Sequence, residues 1–326
     1  MKPTFHHRLV NREFEDPSLY VRLIRERRAI LFDAGNISSL SPGDVQKITD
    51  IFVTHLHIDH FIGFDFVLRS LLRREIPLRV YGPDGIIEAI EGKLKGYAWN
   101  LIKDYPSEIE VFSIDKTMMR HGSFYARNSF ERIDRDARPF DGTVLRESYF
   151  SVKAALLSHG IPCLGYSIEE DFHINIDKAL LNDMGLPVGP WLSDLKRMVR
   201  DGVSGDIIVA GRPLRLHDLM DIVRITKGQK VSYVVDVSPD EKNINSIIDL
   251  VKGSDAFYCE AYFLHEDIER AIERRHLTAR LAGEIARMAG VKELMPVHFS
   301  PKYRGRISDL IAEAMEAFRH SGQQDR

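Results

Sequence analysis

The sequence predicts a layered α/β fold, and three observations predict it. Short apolar runs typical of buried strands alternate with segments of helical periodicity. Side chains that bind metals or move protons fall at or just past the ends of the predicted strands, where the loops of a sheet converge. The chain is 326 residues long, enough for one large domain of this class.

Each element has its own signature. "RRAILFDAGN" (27–36) is an apolar run broken by Asp33, Gly35 and Asn36, hence a strand ending in a turn. "ITDIFVTHLH" (48–57) is a second buried strand that runs into histidines. "GFDFVLRSLLRRE" (63–75) places Phe64, Val67, Leu68, Leu71 and Leu72 at helical spacing. "PLRVYGPDG" (77–85) is a strand with a Pro/Gly turn, followed by a helix in "IIEAIEGKLKGYAWNLI". "EIEVFSI" and "YFSVKAALLSHG" are strands, the second ending at His159. "KVSYVVDVSPDEKN" and "DAFYCEAYF" are strands that end at Asp236 and Glu260. "LTARLAGEIARMAG" (277–290) is a helix with Leu277, Leu281, Ile285 and Met288 on one stripe and Gly290 as its stop. "ELMPVHFS" is a last strand, ending at His298.

Two stretches interrupt this alternation. Residues 115–148 are polar and Arg-rich, with interleaved aromatics, and are expected to be an insertion, in the main a solvated loop. Residues 171–205 carry two helical runs separated by a Gly/Pro break, and "GDIIVAGRPLRLHDL" after them has the pattern of a hairpin. The expected organisation is a single domain over 1–326, with a substrate-binding arm at 171–205 and the insertion at 115–148.

Composition removes several function classes. Hydrophobic residues are 44% and charged residues 29%, so the chain is neither disordered nor a membrane array. A formal net charge of −3 rules out binding nucleic acid through a global positive field, and any phosphate-binding surface must be local. The two cysteines, Cys163 and Cys259, sit among apolar neighbours and are expected to be buried thiols, not a disulfide framework. A cytoplasmic protein with no membrane partner is expected, since the N-terminus lacks an apolar leader.

The chemistry concentrates in "THLHIDH" (54–60). His55 and His57, two apart, can face one cation, and Asp59 with His60 can turn to a second. Imidazole and carboxylate together suit Zn²⁺, with Mn²⁺ or Fe²⁺ as alternatives. Asp33 is either a turn former or a group that orients a metal-binding histidine. His6, His7, His121, His173, His217, His265 and His320 lack ligand partners by pattern.

The stretch resembles the signature of the metallo-β-lactamase fold superfamily. "LLSHGIPCLGYSI", "YCEAYF", "RRHLTARLAGEIARMAGVKELMPVHFSPKYRG" and the glycine–proline stretch "GLPVGPWLSDLKRMVRDG" are more specifically similar to ribonuclease Z, over most of residues 28–305. The resemblance implies an αββα sandwich and two zinc ions. It implies that His55, His57 and His159 hold one ion, that Asp59, His60 and His298 hold the other, and that Asp236 bridges them. His276 would bind no metal but would act beside the scissile phosphate, paired with Glu260; Asp59 completes the set of catalytic candidates. The implied activity is endonucleolytic trimming of the 3′ end of precursor tRNA through a metal-bridging hydroxide, by a homodimer whose arm holds the RNA.

The sequence also departs from the family. Val235 precedes the bridging aspartate where the family has glycine, Lys302 stands where arginine is usual, and the N-terminal segment lacks the usual Gly-rich opening. Two rivals follow. One is a phosphodiesterase or other ester hydrolase acting on a small molecule with the same site. The other is a non-catalytic, metal-containing RNA-binding protein.

Overall fold

The computed structural model describes residues 4–320 except 13 and 25. Two sheets face each other. The first has eight strands in the order β1 (Phe5–Leu9), β2 (Leu19–Leu23), β3 (Arg28–Phe32), β4 (Ile48–Phe52), β5 (Leu78–Pro83), β6 (Glu108–Ile114), β7 (Met118–Tyr125) and β8 (Arg132–Pro139). Chain order continues with β9 (Thr143–Arg146), β10 (Phe150–Ser158) and β11 (Pro162–Glu170). Then come β12 (Phe172–Ile176), β13 (Asp206–Val209), β14 (Arg212–Arg215) and β15 (Val223–Lys227). Last are β16 (Lys230–Val234), β17 (Ala256–Glu260) and β18 (Leu294–Val297). The second sheet runs β18-β17-β16-β11-β10-β9.

Period-2 alternation sorts the side chains. In β3, Ile30 and Phe32 face the second sheet, while Ala29 and Leu31 face helices Phe64–Leu71 and Ile86–Lys95. Tyr166, Tyr233 and Val231 meet Phe32 and Phe52 between the sheets. On the far side, helices Glu241–Val251, Ala279–Met288 and Ile307–Arg319 cover the second sheet. The result is four layers, αββα.

Topology then fixes where the loops go. β3 and β4 are parallel, so Asp33 and His55 leave the first sheet at one end. β16, β17 and β18 are mutually parallel. β10 and β16 are both antiparallel to β11, so they also share a direction. His159, Asp236, Glu260 and His298 therefore emerge together at one end of the second sheet.

Three expectations need revision. The stretch 115–148 is mostly strand: β7 and β8 form the edge of the first sheet, and β9 carries the chain into the second. Its polarity belongs to an edge. β8 is largely exposed and alternates charges, which discourages pairing with other chains. The stripe expected for helix Ala279–Met288 holds at Leu277 and Ile285, which are buried, and in part at Leu281, but not at Met288, which is 54% exposed; Ala279, Ala282, Gly283 and Ala286 complete the buried face. Gly283 explains this: a Cβ there would lie 2.2 Å from the Ala314 carbonyl oxygen, so helix Ile307–Arg319 crosses at a distance that only small residues allow. Finally, β1 and β2, not anticipated from the sequence, extend the first sheet.

Residues 172–227 have a core of their own, built from Ile174, Leu181, Trp191, Leu195, Ile207, Leu219 and Ile222. They contain helices Lys178–Asp183 and Trp191–Asp201 and the β13–β14 hairpin, whose turn residues Ala210 and Gly211 both have positive φ. Cys163 and Cys259 are buried free thiols. Among the described residues no helix is long and apolar enough to cross a membrane.

Candidate metal centre

Asp33, Asp236 and His298 each follow a strand and adopt left-handed backbone conformations, with φ of 56°, 56° and 54°. Non-glycine residues reach this region at a cost of order 1 kcal/mol or more, and such strain gathers at functional sites. Here it turns each chain sharply at the sheet end. Gly35 serves a related purpose: a Cβ there would meet Asp16 Cβ and the Asp59 carbonyl oxygen, each at 2.6 Å, so the N-terminal segment packs directly on the histidine-rich loop. Nothing in the sequence pattern announced that contact.

The expected ligand residues converge. His55, His57 and His159 offer atoms within 4.8 Å of one another, as do Asp59, His60 and His298. Asp236 lies between the groups. Its Oδ1 is 3.7 Å from His159 Nε2, and its Oδ2 is 2.8 Å from His60 Nε2 and 3.5 Å from His298 Nδ1. None of the seven histidines set aside from the sequence joins a described cluster.

The outer partners fix ring orientation. Asp33, fully buried, accepts from Thr54 N (2.7 Å), Thr54 Oγ1 (2.9 Å) and Tyr233 OH (3.1 Å), and its Oδ2 is 2.8 Å from His60 Nδ1. Of the two readings, turn former or histidine orienter, the geometry fits both at once. His159 donates through Nδ1 to the Arg275 carbonyl oxygen at 2.8 Å. In both histidines the hydrogen bond at Nδ1 leaves Nε2 as the nitrogen with an open lone pair.

Charge states follow from burial and neighbours. Burial, then the nearby His60, pushes His55 down to about 2, so its ring is neutral. Burial opposes ionisation of Asp59, yet the adjacent His60, 3.5 Å away, brings it down to about 2. Asp236 is likewise held well below the carboxylate range, with His298 and His60 outweighing burial. His60 is raised by Asp33 and Asp236 against burial, and His298 by Asp236 and Glu260. A cation entering here displaces those protons.

Three buried atoms decide what the cluster fits. His60 Nε2, Asp236 Oδ2 and His298 Nδ1 have no hydrogen-bond partner, although Asp236 Oδ2 lies 2.8 Å from His60 Nε2 and 3.5 Å from His298 Nδ1. A buried polar atom left unsatisfied costs about 1–3 kcal/mol, and three at one point is a large penalty for a fold to carry. A cation accepting all three lone pairs removes it. The imidazole and carboxylate donor set fits Zn²⁺, Mn²⁺ or Fe²⁺.

Glu260 and His276 form a pair beside this centre. Glu260 is fully buried, and its Oε1 accepts from Val237 N at 2.9 Å and Leu277 N at 3.1 Å. Its Oε2 meets His276 Nδ1 at 2.9 Å. The His276 ring stacks on Tyr262, with centroids 3.8 Å apart and planes at 6°. His276 Nδ1 is also 3.3 Å from Asp236 Oδ1, so proximity alone would admit it as a ligand. Its nitrogen is already engaged by a carboxylate that two backbone N–H groups hold, which favours a proton-handling role. Lys302 and Ser300, further along the same segment as His298, are both engaged within the chain. Lys302 Nζ is clasped by Asp267 at 2.6 Å, and Ser300 Oγ caps the following turn by accepting from Lys302 N at 3.4 Å. Neither is poised as a phosphate contact.

No protein-family model matches the chain. It is 31% identical over 316 residues to a ribonuclease Z of Crocosphaera subtropica, spanning 92% of this chain and 87% of that protein. The metallo-β-lactamase fold protein YhfI of Bacillus subtilis superposes with a TM-score of 0.57 at 14% identity, over 96% of this chain and 92% of that one. The short form of human tRNase Z superposes with a TM-score of 0.55 at 18% identity, over 91% and 93%. The fold is thus that of the metallo-β-lactamases.

Proposed function

The chain belongs to the ribonuclease Z family, and from that premise we propose that it is a metal-dependent endoribonuclease that trims the 3′ end of precursor tRNA. The observation that carries the reading is the convergence of His60 Nε2, Asp236 Oδ2 and His298 Nδ1, three buried atoms with no hydrogen-bond partner.

In this reading His55, His57 and His159 would hold one ion, Asp59, His60 and His298 would hold the other, and Asp236 would be shared by the two sets. When bound, two such cations lower the pKa of a water toward 7 and neutralise charge on the phosphoryl oxygens. The chain's own groups do the rest. Asp33 and the Arg275 carbonyl oxygen keep His60 and His159 in the required tautomers. Glu260, fixed as an acceptor by two backbone N–H groups, stabilises a protonated His276 ring. His276 then delivers a proton to the departing ribose oxygen, leaving a 3′-hydroxyl. Burial of this pair keeps bulk water from competing.

Residues 172–227 act as the arm that holds the RNA, within an otherwise single domain. The β12–β15 ladder joins them to the body, and they have a core of their own. Of the arm's cations, Arg197 pairs with Asp194 at 2.7 Å and Arg200 lies over Tyr149 and Phe172, so shape carries more of the recognition than free charge. The homodimer reading is supported by the exposed apolar residues Ile62, Phe66 and Tyr97, which line one groove with Leu72 and Trp99 close in sequence to the metal loop. Zinc is the preferred ion, and the cytoplasm the working compartment.

The test is cleavage of a 3′-extended precursor tRNA by the purified, metal-supplied protein, with both product ends mapped. A single cut after the acceptor stem that leaves a 3′-hydroxyl supports the reading. Hydrolysis of bis(p-nitrophenyl) phosphate without any RNA cleavage would favour the small-molecule phosphodiesterase, and no hydrolysis of either would favour a binding protein.

A further inference from the structure

Arg275 contacts one site histidine, His159, and precedes another, His276, in the chain. It closes helix Ile268–Arg274 in the left-handed conformation at φ 63°, a position where glycine is the favoured residue. Its backbone oxygen accepts from His159 Nδ1, and His276 is the next residue. Its side chain folds back over the neighbouring loop: a Cβ built on Gly160 would lie 1.6 Å from Arg275 Nη1 and 2.5 Å from Cζ. The guanidinium therefore rests directly on the Gly160 backbone, one residue from His159. Gly160 itself has φ 82° and no side chain, which is what admits the guanidinium there. Arg275 is exposed, and among the described residues its guanidinium makes no ion pair, hydrogen bond or ring contact. Several cations elsewhere on the surface differ. Lys302, Arg306 and Arg132 are tied to carboxylates.

An unpaired, solvent-facing guanidinium held in place beside a cluster of metal-ligand side chains is suited to an anion that arrives with the substrate. We propose that Arg275 is a substrate-contacting residue, whose guanidinium on Gly160 holds the RNA backbone phosphate next to the one that is cut. The scissile phosphate itself belongs between the buried ligands, whereas the Arg275 side chain is exposed and rests on Gly160. The residue thus has two separable parts. The backbone oxygen orients His159, and any side chain at this position retains that. The guanidinium grips the substrate, and only a cation retains that. The proposal rests on the ribonuclease reading above.

The test compares Arg275→Gln, Arg275→Lys and unmodified protein on a 3′-extended precursor tRNA and on bis(p-nitrophenyl) phosphate, which has no neighbouring phosphate. For the glutamine variant, KM for the RNA should rise about tenfold with kcat within about twofold, as for loss of one charged phosphate contact. The slope of log KM against log salt should fall by about 0.7–0.9, one phosphate's share. Hydrolysis of the small diester and metal per chain should be unchanged. The lysine variant should keep the salt slope and recover part of the affinity. Glutamine kinetics equal to the unmodified protein's on RNA would overturn the proposal. An equal fall on both substrates would overturn it too, by showing that the side chain acts through His159. If the unmodified protein cuts the small diester but no RNA, the ribonuclease reading fails and this one with it.

Discussion

Asp33→Asn removes one charge and almost no volume from beneath the metal centre. Asparagine tolerates the left-handed conformation that Asp33 adopts at φ 56°, so backbone strain is not the variable. The amide oxygen can keep the short bond from Thr54 N at 2.7 Å. The amide nitrogen then faces His60 Nδ1, 2.8 Å away in the parent, where a donor is already committed. Two donors cannot share that contact, so His60 must move its proton to Nε2. That nitrogen faces Asp236 Oδ2 at 2.8 Å and is the one left for a cation. Loss of such an outer partner typically costs 10–100-fold in metal affinity, about 1.4–2.8 kcal/mol. Titration of Zn²⁺ against a chromophoric chelator measures this directly, with circular dichroism to verify the fold. An affinity within about twofold of the parent, in a variant that folds normally, would refute the claim that Asp33 sets the His60 tautomer.

Other predictions test the surrounding structure. Gly283→Ala places a Cβ 2.2 Å from the Ala314 carbonyl oxygen, and overpacking of about 1–3 kcal/mol should exceed the helix-propensity gain of about 1 kcal/mol, giving a lower Tm. Glu147 is half-buried, and although burial opposes its ionisation, hydrogen bonds from Arg28 and Arg79 lower its pKa. Its folded value thus lies below the unfolded value near ~4.3, so it stabilises the fold above that pH, and this contribution is lost as pH falls through the folded value. Glu147→Gln should cost about 1 kcal/mol in urea melts near neutrality, discounted for partial exposure, with the gap closing below about pH 4; a pH-independent gap would contradict this. Ile176 pairs with Val223, so residues 178–221 can be replaced by a short turn without breaking the β12–β15 ladder. That variant should lose most precursor-tRNA cleavage while hydrolysing bis(p-nitrophenyl) phosphate within about threefold of the parent rate, and an unchanged RNA rate would remove the arm from the account.

Much of this site can be read in the chain because buried strands have a strong composition signal and their ends carry the chemistry. "ITDIFVTHLH" announces both a strand and a ligand loop, and the same holds for the strands ending at His159, Asp236 and His298. Other features have no such signal. β8 is an edge, and its Arg/Asp alternation has the composition of a loop although its backbone is paired with β7. The buried face of helix Ala279–Met288 follows hydrophobic size at Leu277 and Ile285 but not at Met288, because the close helix crossing at Gly283 selects small residues there. The left-handed turns at Asp33, Asp236 and His298 are hidden because sequence patterns associate positive φ with glycine. Val235 before Asp236 is accommodated because the turn is made by the aspartate itself. Arg275 is invisible to pattern because its position against Gly160 depends on a loop more than a hundred residues away.

The central claim is that one end of the sandwich assembles a two-ion centre around Asp236. Metal per chain, measured by mass spectrometry after the protein is loaded with Zn²⁺ and desalted, tests it most directly, in the parent and in Asp236→Ala. The account predicts two ions in the parent and fewer than one in the variant, with unchanged circular dichroism. A parent that retains a single ion, or a variant that retains two, would contradict it.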